Sequence, residues 1–450
     1  MMDDHTAAPR PDSVRHPVAA SGSGSVARAK GDERVALLPG GRLTQLHLPG
    51  GAYPTLARGS GSHIWDTEGR EYIDCVLGSG PMVLGHAHPA VVAAVMEQIP
   101  RGSTFYALND KILDLAQLIV DWAPCAEAVQ FCASGSEATF YALRIARAAT
   151  RRDLILKFEG GFLGGNDYAL MNFVPPVEGP ATQVRASSAG IPRALTDTVL
   201  VASFNDLETT TALVREHQRS LAAIIVEPMQ RVIEPVPGFL EGLRALASAT
   251  GAVLIFDEVV SGFRWCPGGA QEYYGVTPDL ATYGKIIGGG YALAAVAGRR
   301  DLMGAAAWSA QEQESRAYMS GTLNGNPVAA VAGVATLTEL AKPESYETLN
   351  RVGERLREGI GAAFRDSGMP GQVLGLGPTF QVVHTDQPVT DYRSLCAEDL
   401  EMKEAVAREV YAQGILVRNE KMYLSLTHSD EDIDQIVLAY RNGLKRAGRT

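Results

Sequence analysis

The sequence predicts an α/β protein: a mostly parallel, seven-stranded sheet flanked by helices, with a smaller α+β part drawn from the two ends of the chain. Three observations carry this. Seven short runs of β-branched and other apolar residues lie between positions 128 and 298, as strands buried on both faces read. Helical stretches separate them, which is the pattern of βαβ units. Polar residues recur where these runs end, at the sheet edge where ligands of open α/β folds bind.

Taken in order, residues 1–33 are rich in Ala, Ser, Gly, Pro and Arg, as in VAASGSGSVARAK. They read as a disordered extension. No apolar stretch makes them a secretory signal, and Asp3 and Asp4 sit badly with a transit peptide. Residues 34–88 form the first piece of the smaller domain, where SHIWDTEGREYID reads as two short strands around a turn at Gly69. The helix PAVVAAVMEQI from Pro89 opens the large domain, 89–340. Its strand runs are AVQFC (128–132), LILKF (154–158), TVLVASF (198–204), AAIIVE (222–227), AVLIF (252–256), DLATY (279–283) and LAAVAG (293–298). Residues 341–450 complete the smaller domain, packed with the N-terminal strands. A helix near Glu401–Gln413, a last strand KMYLSLT and a final helix SDEDIDQIVLAYRNGL with Ser429 as N-cap are expected there.

Composition narrows the function. At 450 residues the chain exceeds the roughly 250–300 that one core usually serves. A net charge of −11 without a Lys/Arg cluster argues against nucleic acid as partner. No apolar run reaches the roughly 18 residues of a membrane span. Five cysteines, an odd number without a CxxC pair, suit reduced thiols in a cytoplasmic setting. The nine histidines form no HExxH, and no metal is expected.

The strand exits hold the chemistry. FCASGSEATFYALRIARAAT reads as strand, glycine turn and helix, with Ser134 and Glu137 spaced as a capping box. Free amides, a glycine and two hydroxyls at a helix start suit a phosphate, although alone the stretch is an ordinary capped helix. Lys285 follows the strand DLATY and precedes a glycine run. A desolvated amine at such an edge forms Schiff bases with carbonyl compounds. Asp257 ends a strand that is otherwise apolar, so its charge calls for a cationic partner. A pyridinium nitrogen held by an acid turns the ring into an electron sink. Phosphate cradle, acid and amine are the three anchors of pyridoxal 5'-phosphate.

On these residues the chain resembles the class III (subgroup II) pyridoxal-phosphate-dependent aminotransferases, and within them the glutamate-1-semialdehyde 2,1-aminomutase-like branch. WDTEGREYIDCV, VLGHAHP, SGSEA, SSAGIP, VEP, FDEVVSGFR, PDLATYGKIIGGG and SGTLNGNP carry the likeness from about Leu38 to Leu444. It implies a fold-type I transferase. Lys285 matches the Schiff-base lysine, Asp257 the acid on the pyridine nitrogen, and Val259 a residue on one ring face. Ser134, Gly135 and Ser136 match the phosphate loop, and Glu227 a strand-end glutamate beside the cofactor. Thr322 matches a threonine that reaches the phosphate of a neighbouring subunit, which implies a homodimer with shared sites.

The chain also departs from that pattern. Phe162 and Leu163 stand where the family has Tyr-His, so the ring-stacking residue loses its hydroxyl. His47 replaces an arginine associated with the substrate carboxylate, and Arg42 lies five residues earlier. Glu420 aligns with an acidic residue of the aminomutase site, with Arg418 and Lys421 beside it. Arg42, His47, Leu163, Arg418 and Glu420 are therefore the candidate substrate residues. The reading is an aminotransferase that moves an amino group from an amine or amino acid to a keto acid or aldehyde, through Lys285, in a ping-pong cycle. The aminomutase, a racemase or epimerase, and a non-catalytic binding protein are the alternatives. The last would be expected to lack Lys285 or Asp257.

Overall fold

A computed structural model describes residues 35, 37–41, 43, 48–51, 54–307 and 316–448. The expected extension over 1–33, Arg42 and His47 lie outside the described residues. By its internal contacts the chain divides after Leu46. The described part of the first unit includes a single helical turn at Pro39–Gly41, and the rest of this description concerns the second unit.

Its centre is a seven-stranded sheet of β4 (Ala128–Cys132), β5 (Leu154–Phe158), β6 (Val199–Ala202), β7 (Leu221–Val226), β8 (Val253–Asp257), β9 (Leu280–Tyr283) and β10 (Ala294–Gly298). The order is β4-β10-β9-β8-β7-β5-β6. Only β10 runs antiparallel to its neighbours; the pairs from β9 to β6 are parallel. Successive residues of a strand face opposite sides, and both sides here are covered. Leu254 and Phe256 of β8 join one apolar cluster with Ile112, Leu115, Leu240 and Leu243, whereas Val253 and Ile255 join another with Ala138, Tyr141, Ala142 and Ile145. The first cluster is supplied by helices α2 (Asp110–Trp122) and α5 (Phe239–Thr250), the second by α3 (Gly135–Thr150). Each fully buried Ile, Leu or Phe contributes roughly 1.5–3 kcal/mol, about what fixing one residue's backbone costs. Strands apolar on both faces offset that cost at nearly every position, and this is why these runs become central strands.

A separate core joins the two ends of the chain. In sequence order, β1 (Leu56–Ser60), β2 (His63–Asp66) and β3 (Glu71–Asp74) form a meander with Gly69 (φ 82°) in the expected turn. The two-residue strand Ile415–Leu416 pairs in parallel with Ile73 and Asp74 of β3. Ile73 packs with Val352, Leu356 and Ile360 of the helix Pro343–Ser367, and with Ile433 and Ile436 of the helix Asp430–Ala447. That last helix starts with the expected cap: Ser429 accepts from the Asp432 amide, and the Asp432 carboxylate accepts from the Ser429 amide.

One strand was not foreseen, and two expected strands are shorter than their sequence runs. The strand Leu56–Ser60 has no apolar alternation to announce it; it is an edge strand formed by pairing, with Arg58 lying 3.6 Å over the Trp65 ring. KMYLSLT shrinks to Met422–Tyr423, because the Leu424 and Leu426 amides bond to the Pro378 and Val83 carbonyls instead of a ladder. TVLVASF contributes only Val199–Ala202, since Thr198 closes a preceding 3-10 turn.

One buried side chain links the sheet to the loop beyond β5. Lys157, fully buried, donates to the Gly161 (3.4 Å), Ala169 (2.6 Å) and Met171 carbonyls. It fastens the segment carrying Phe162 to its own strand. Substituting Lys157→Met should leave these buried carbonyls without donors and cost about 3 kcal/mol, read as a lower urea midpoint with an unchanged slope.

Candidate active site

At the exit of β4 the chain turns into α3. Ser134 is the N-cap: its hydroxyl accepts from the Glu137 amide (3.3 Å), while the Glu137 carboxylate accepts from the Ala133 amide (3.0 Å). The turn is packed tightly. A Cβ on Gly135 would stand 2.9 Å from a Val259 methyl, and one on Gly164 (φ 104°) would stand 2.7 Å from the Ser136 Cα. The Ser136 hydroxyl accepts from the Gly165 amide at 2.8 Å. Helix start, glycine and hydroxyls thus form a cradle suited to an anion.

Three strands over, Asp257 is the last residue of β8, 6% exposed. Among the described residues both hydrogen bonds to its carboxyl, from the Val259 amide (3.0 Å) and the Thr282 hydroxyl (3.1 Å), fall on Oδ1. Oδ2 remains for a donor from outside the chain. Burial raises this carboxyl well above the usual aspartate range, and the Glu227 charge raises it further. A cation against Oδ2 would reverse that.

Lys285 follows the adjacent strand β9, directly beyond Gly284, at a left-handed φ of 47°. Strain of about 1 kcal/mol or more is usual for a non-glycine residue there. No hydrogen bond among the described residues holds its amine. Burial pushes the ammonium down from 10.5, Asp257 opposes this, and Arg264 adds to it. Val259 lies between the two anchors and the cradle: it is the neighbour that a Cβ on Gly284, as on Gly135, would meet first.

Glu227, at the end of β7, accepts from the Phe162 amide at 2.9 Å and faces the buried Lys421 at 3.8 Å. Phe162 is exposed over 40% of its surface and packs at a tilt against Phe173, with ring centroids 5.0 Å apart. Arg231 lies 5.8 Å from the Phe162 ring centroid and donates to Glu420 Oε2 at 3.1 Å. Arg418 donates to the same oxygen and to the Ser79 hydroxyl. Burial works to raise the Glu420 carboxyl, but Arg418 and Arg231 together hold it below its ordinary value.

The structure therefore gathers Asp257, Lys285, Val259, Glu227, Phe162, Arg418 and Glu420 around the carboxyl ends of β7–β9, with Ser134–Ser136 beside them. Leu163 is a correction: its side chain is 3% exposed in the core cluster with Tyr141 and Ile225, and only its carbonyl serves the site's frame, accepting from Thr139 at 2.6 Å. Trp265 packs with Met229 and Ala270, away from the site. Thr322 is exposed on a loop. Sequence reasoning missed Arg231. Its signal was a lone arginine after VEPMQ, where the backbone turns left-handed (φ 60°).

A family model described as aminotransferase class-III matches residues 51–441. The chain is 39% identical over 404 residues to glutamate-1-semialdehyde 2,1-aminomutase 2 of Brevibacillus brevis, covering 88% of this chain and 92% of that one. Among solved structures it is similar to an omega-transaminase from Sphaerobacter thermophilus, at 33% identity and a TM-score of 0.88, over 94% of this chain and 100% of the other. It is also similar to a transaminase with PLP bound, at 28% identity and a TM-score of 0.84, over 92% and 97%.

The cofactor of this class is pyridoxal 5'-phosphate, and the residues present fit it. The open Oδ2 of buried Asp257 suits a protonated ring nitrogen, the unbonded Lys285 amine suits the aldehyde, and the close-packed turn at Ser134–Ser136 suits the phosphate. Because only the neutral amine attacks a carbonyl, the rate of cofactor uptake by apoenzyme should rise with pH and level off below the 10.5 of an ordinary lysine. Stopped-flow absorbance on apoenzyme checks this; a rate still climbing above pH 10 would contradict the burial argument.

Proposed function

The chain belongs to the class III aminotransferases, and on that premise we propose that it moves an amino group between two separate substrates, from an amine or amino acid to a keto acid or aldehyde. The observation that supports this best is the pair at Phe162 and Leu163. The first presents a bare aromatic face to the site and the second withdraws into the core, leaving an apolar wall on that side.

In this reading Ser134, Gly135 and Ser136 would hold the cofactor phosphate, Phe162 and Val259 would pack against its ring, and Asp257 would bond the ring nitrogen. Bound there, pyridoxal phosphate supplies an electron sink that makes the substrate's α-hydrogen acidic. Lys285 Nζ would take that proton from the α-carbon and pass it to the cofactor's C4′, and would carry it the opposite way in the second half of the cycle, the work of a general base whose proton affinity burial has lowered. Glu227 orients the Phe162 backbone, and Lys157 holds the loop behind it. Residues 89–340 form the cofactor-binding part, while 56–88 and 341–450 supply the substrate side through Arg418 and Glu420.

We further read the protein as a homodimer. Phe105, Tyr106, Leu108, Tyr318 and Leu323 are exposed over roughly half their surface or more. The two segments are joined by the Asn109 amide bonding the Gly325 carbonyl at 2.9 Å. An apolar patch of that kind is a protein interface, and it surrounds Thr322, the residue expected to complete the neighbouring site. The five free thiols suit a reducing, cytoplasmic compartment.

A second reading, the aminomutase, has the identity to the Brevibacillus brevis protein in its favour. Mixing holoenzyme with amino donors one at a time, and with glutamate-1-semialdehyde separately, decides between them. Bleaching of the bound cofactor's colour by a donor and its return with a keto acid is the expected result. Formation of 5-aminolevulinate, without transfer to any added keto acid, would replace the proposal with the aminomutase.

Lys285→Ala should lower turnover by about 10³-fold or more and remove the yellow colour. Mixing it with Thr322→Asp, refolded together, should restore activity that neither variant shows alone, since one hybrid site regains both native residues. No recovery, with dimers present, would remove Thr322 from the shared site.

A further inference from the structure

We propose that Arg393 is a positioning residue for the cofactor ring: it clasps Glu159 and the loop 175–179 from behind and so sets the aromatic pair Phe162–Phe173. This rests on the placing of Phe162 against that ring in the reading above. Arg393 belongs to the short helix Tyr392–Cys396, supplied by the C-terminal part of the chain. Its Nε and Nη2 donate to the two carboxylate oxygens of Glu159, at 2.7 and 3.0 Å. Glu159 stands at the exit of β5, three residues before Phe162, and its side chain is 2% exposed. A buried carboxylate needs such a partner, and a fork on both oxygens fixes direction as well as charge. The third nitrogen, Nη1, donates to the Val177 (3.1 Å) and Gly179 (2.8 Å) carbonyls. The Tyr392 hydroxyl adds a bond to the Pro175 carbonyl at 2.9 Å. One guanidinium thus engages all three nitrogens in joining a strand exit to a loop.

What it joins are the two supports of the aromatic pair. Phe162 follows Glu159 by way of Gly160 and Gly161, and Phe173 stands two residues before Pro175. The Gly160 amide donates to the Asn172 carbonyl at 2.8 Å, so the two supports are also tied to each other. The Glu159 carbonyl accepts from the Gln230 side chain at 2.7 Å, next to Arg231, which lies against the Phe162 ring. The fit of the clasp is close. A Cβ on Gly160 (φ 78°) would stand 2.4 Å from the Tyr392 ring, so only bare backbone lets the helix seat there. Asn205, at the exit of β6, donates to the Thr390 carbonyl at 2.9 Å and seats the segment on a second strand exit. Among the described residues no hydrogen bond of Arg393 or Tyr392 reaches Ser134–Ser136, Asp257 or Lys285. A shift of the clasp therefore moves the rings and leaves the other anchors in place.

The probe is pyridoxamine phosphate, which has the cofactor's ring and phosphate but no aldehyde for Lys285. It is titrated into full-length apoenzyme beside inorganic phosphate, which reads the cradle alone. Arg393→Gln should weaken pyridoxamine phosphate about 5-fold or more, the scale of one aromatic packing contact, and leave inorganic phosphate unchanged. In a Phe162→Ala background the same substitution should cost nothing further, because a ring already removed cannot be misplaced. Holoenzyme of Arg393→Gln should show the matching change as a weaker visible circular dichroism band of the bound cofactor. Should Arg393→Gln not fold, Tyr392→Phe, which loses a single bond, carries the same comparison with an expected weakening of about 2-fold. An equal loss for inorganic phosphate, or an effect that persists in full in the Phe162→Ala background, overturns the clasp. Loss of affinity in Phe162→Ala but in neither Arg393→Gln nor Tyr392→Phe also overturns it and leaves the ring placement standing. No loss in Phe162→Ala removes the ring placement itself, and the clasp's role with it.

Discussion

Asp257 ends a strand whose other residues are all apolar, and among the described residues both hydrogen bonds to its carboxyl fall on one of the two oxygens. Everything else in the site is arranged around that half-paired acid. Burial, and after it the Glu227 charge, drives it toward neutrality, a tendency that a ring cation against it would reverse. The neighbouring strand delivers Lys285, whose ammonium the same burial pushes down from the ordinary lysine value. A carboxyl that wants a cation and an amine that sheds its proton are complementary to a protonated pyridine carrying an aldehyde. Binding of the cofactor thus stabilises the strand ends that create the need for it.

The geometry around this pair depends on close approach of backbone to side chain. Gly135 and Gly284 both lie against Val259, at distances that leave little or no room for a Cβ. The cradle, the acid and the amine are thereby held to one wall even though they come from three strands. On the other wall, Phe162 is fixed through its backbone: Glu227 takes its amide, and Lys157 ties the loop's carbonyls to β5. The exposed ring therefore sits on a rigid support, as stacking on a flat ligand requires.

The substrate side is built differently, from charge. Glu420 draws two guanidiniums onto one oxygen, and Lys421 is buried beside Glu227. Those residues come from a segment some 160 positions or more after the strand exits they meet, by way of the strand Met422–Tyr423 that pairs with Thr379–Val383. The acid and the amine are set by the central sheet, and the charges beside them by what the end of the chain lays over it.

Much of this was legible in the sequence. The seven strand runs, the capped helix after Cys132, and the acid and lysine at adjacent strand ends follow from local pattern, because a strand buried on both faces must be apolar and a polar residue at its end stands out. Two things were not legible. The short strands at Leu56 and Ile415 form only because a partner is present, and the ladder Leu424–Thr427 lacks is taken up by loops from elsewhere. Likewise Leu163 and Arg231 exchanged roles: the residue expected in the pocket went into the core, and an arginine in an unremarked loop came to the ring. The sequence by itself determined the fold class and the reactive pair, since both are written in the polarity of neighbouring residues. Only the tertiary structure decided which cations lie beside the strand exits, because an arginine or lysine is placed there by partners nearly two hundred residues away in the chain.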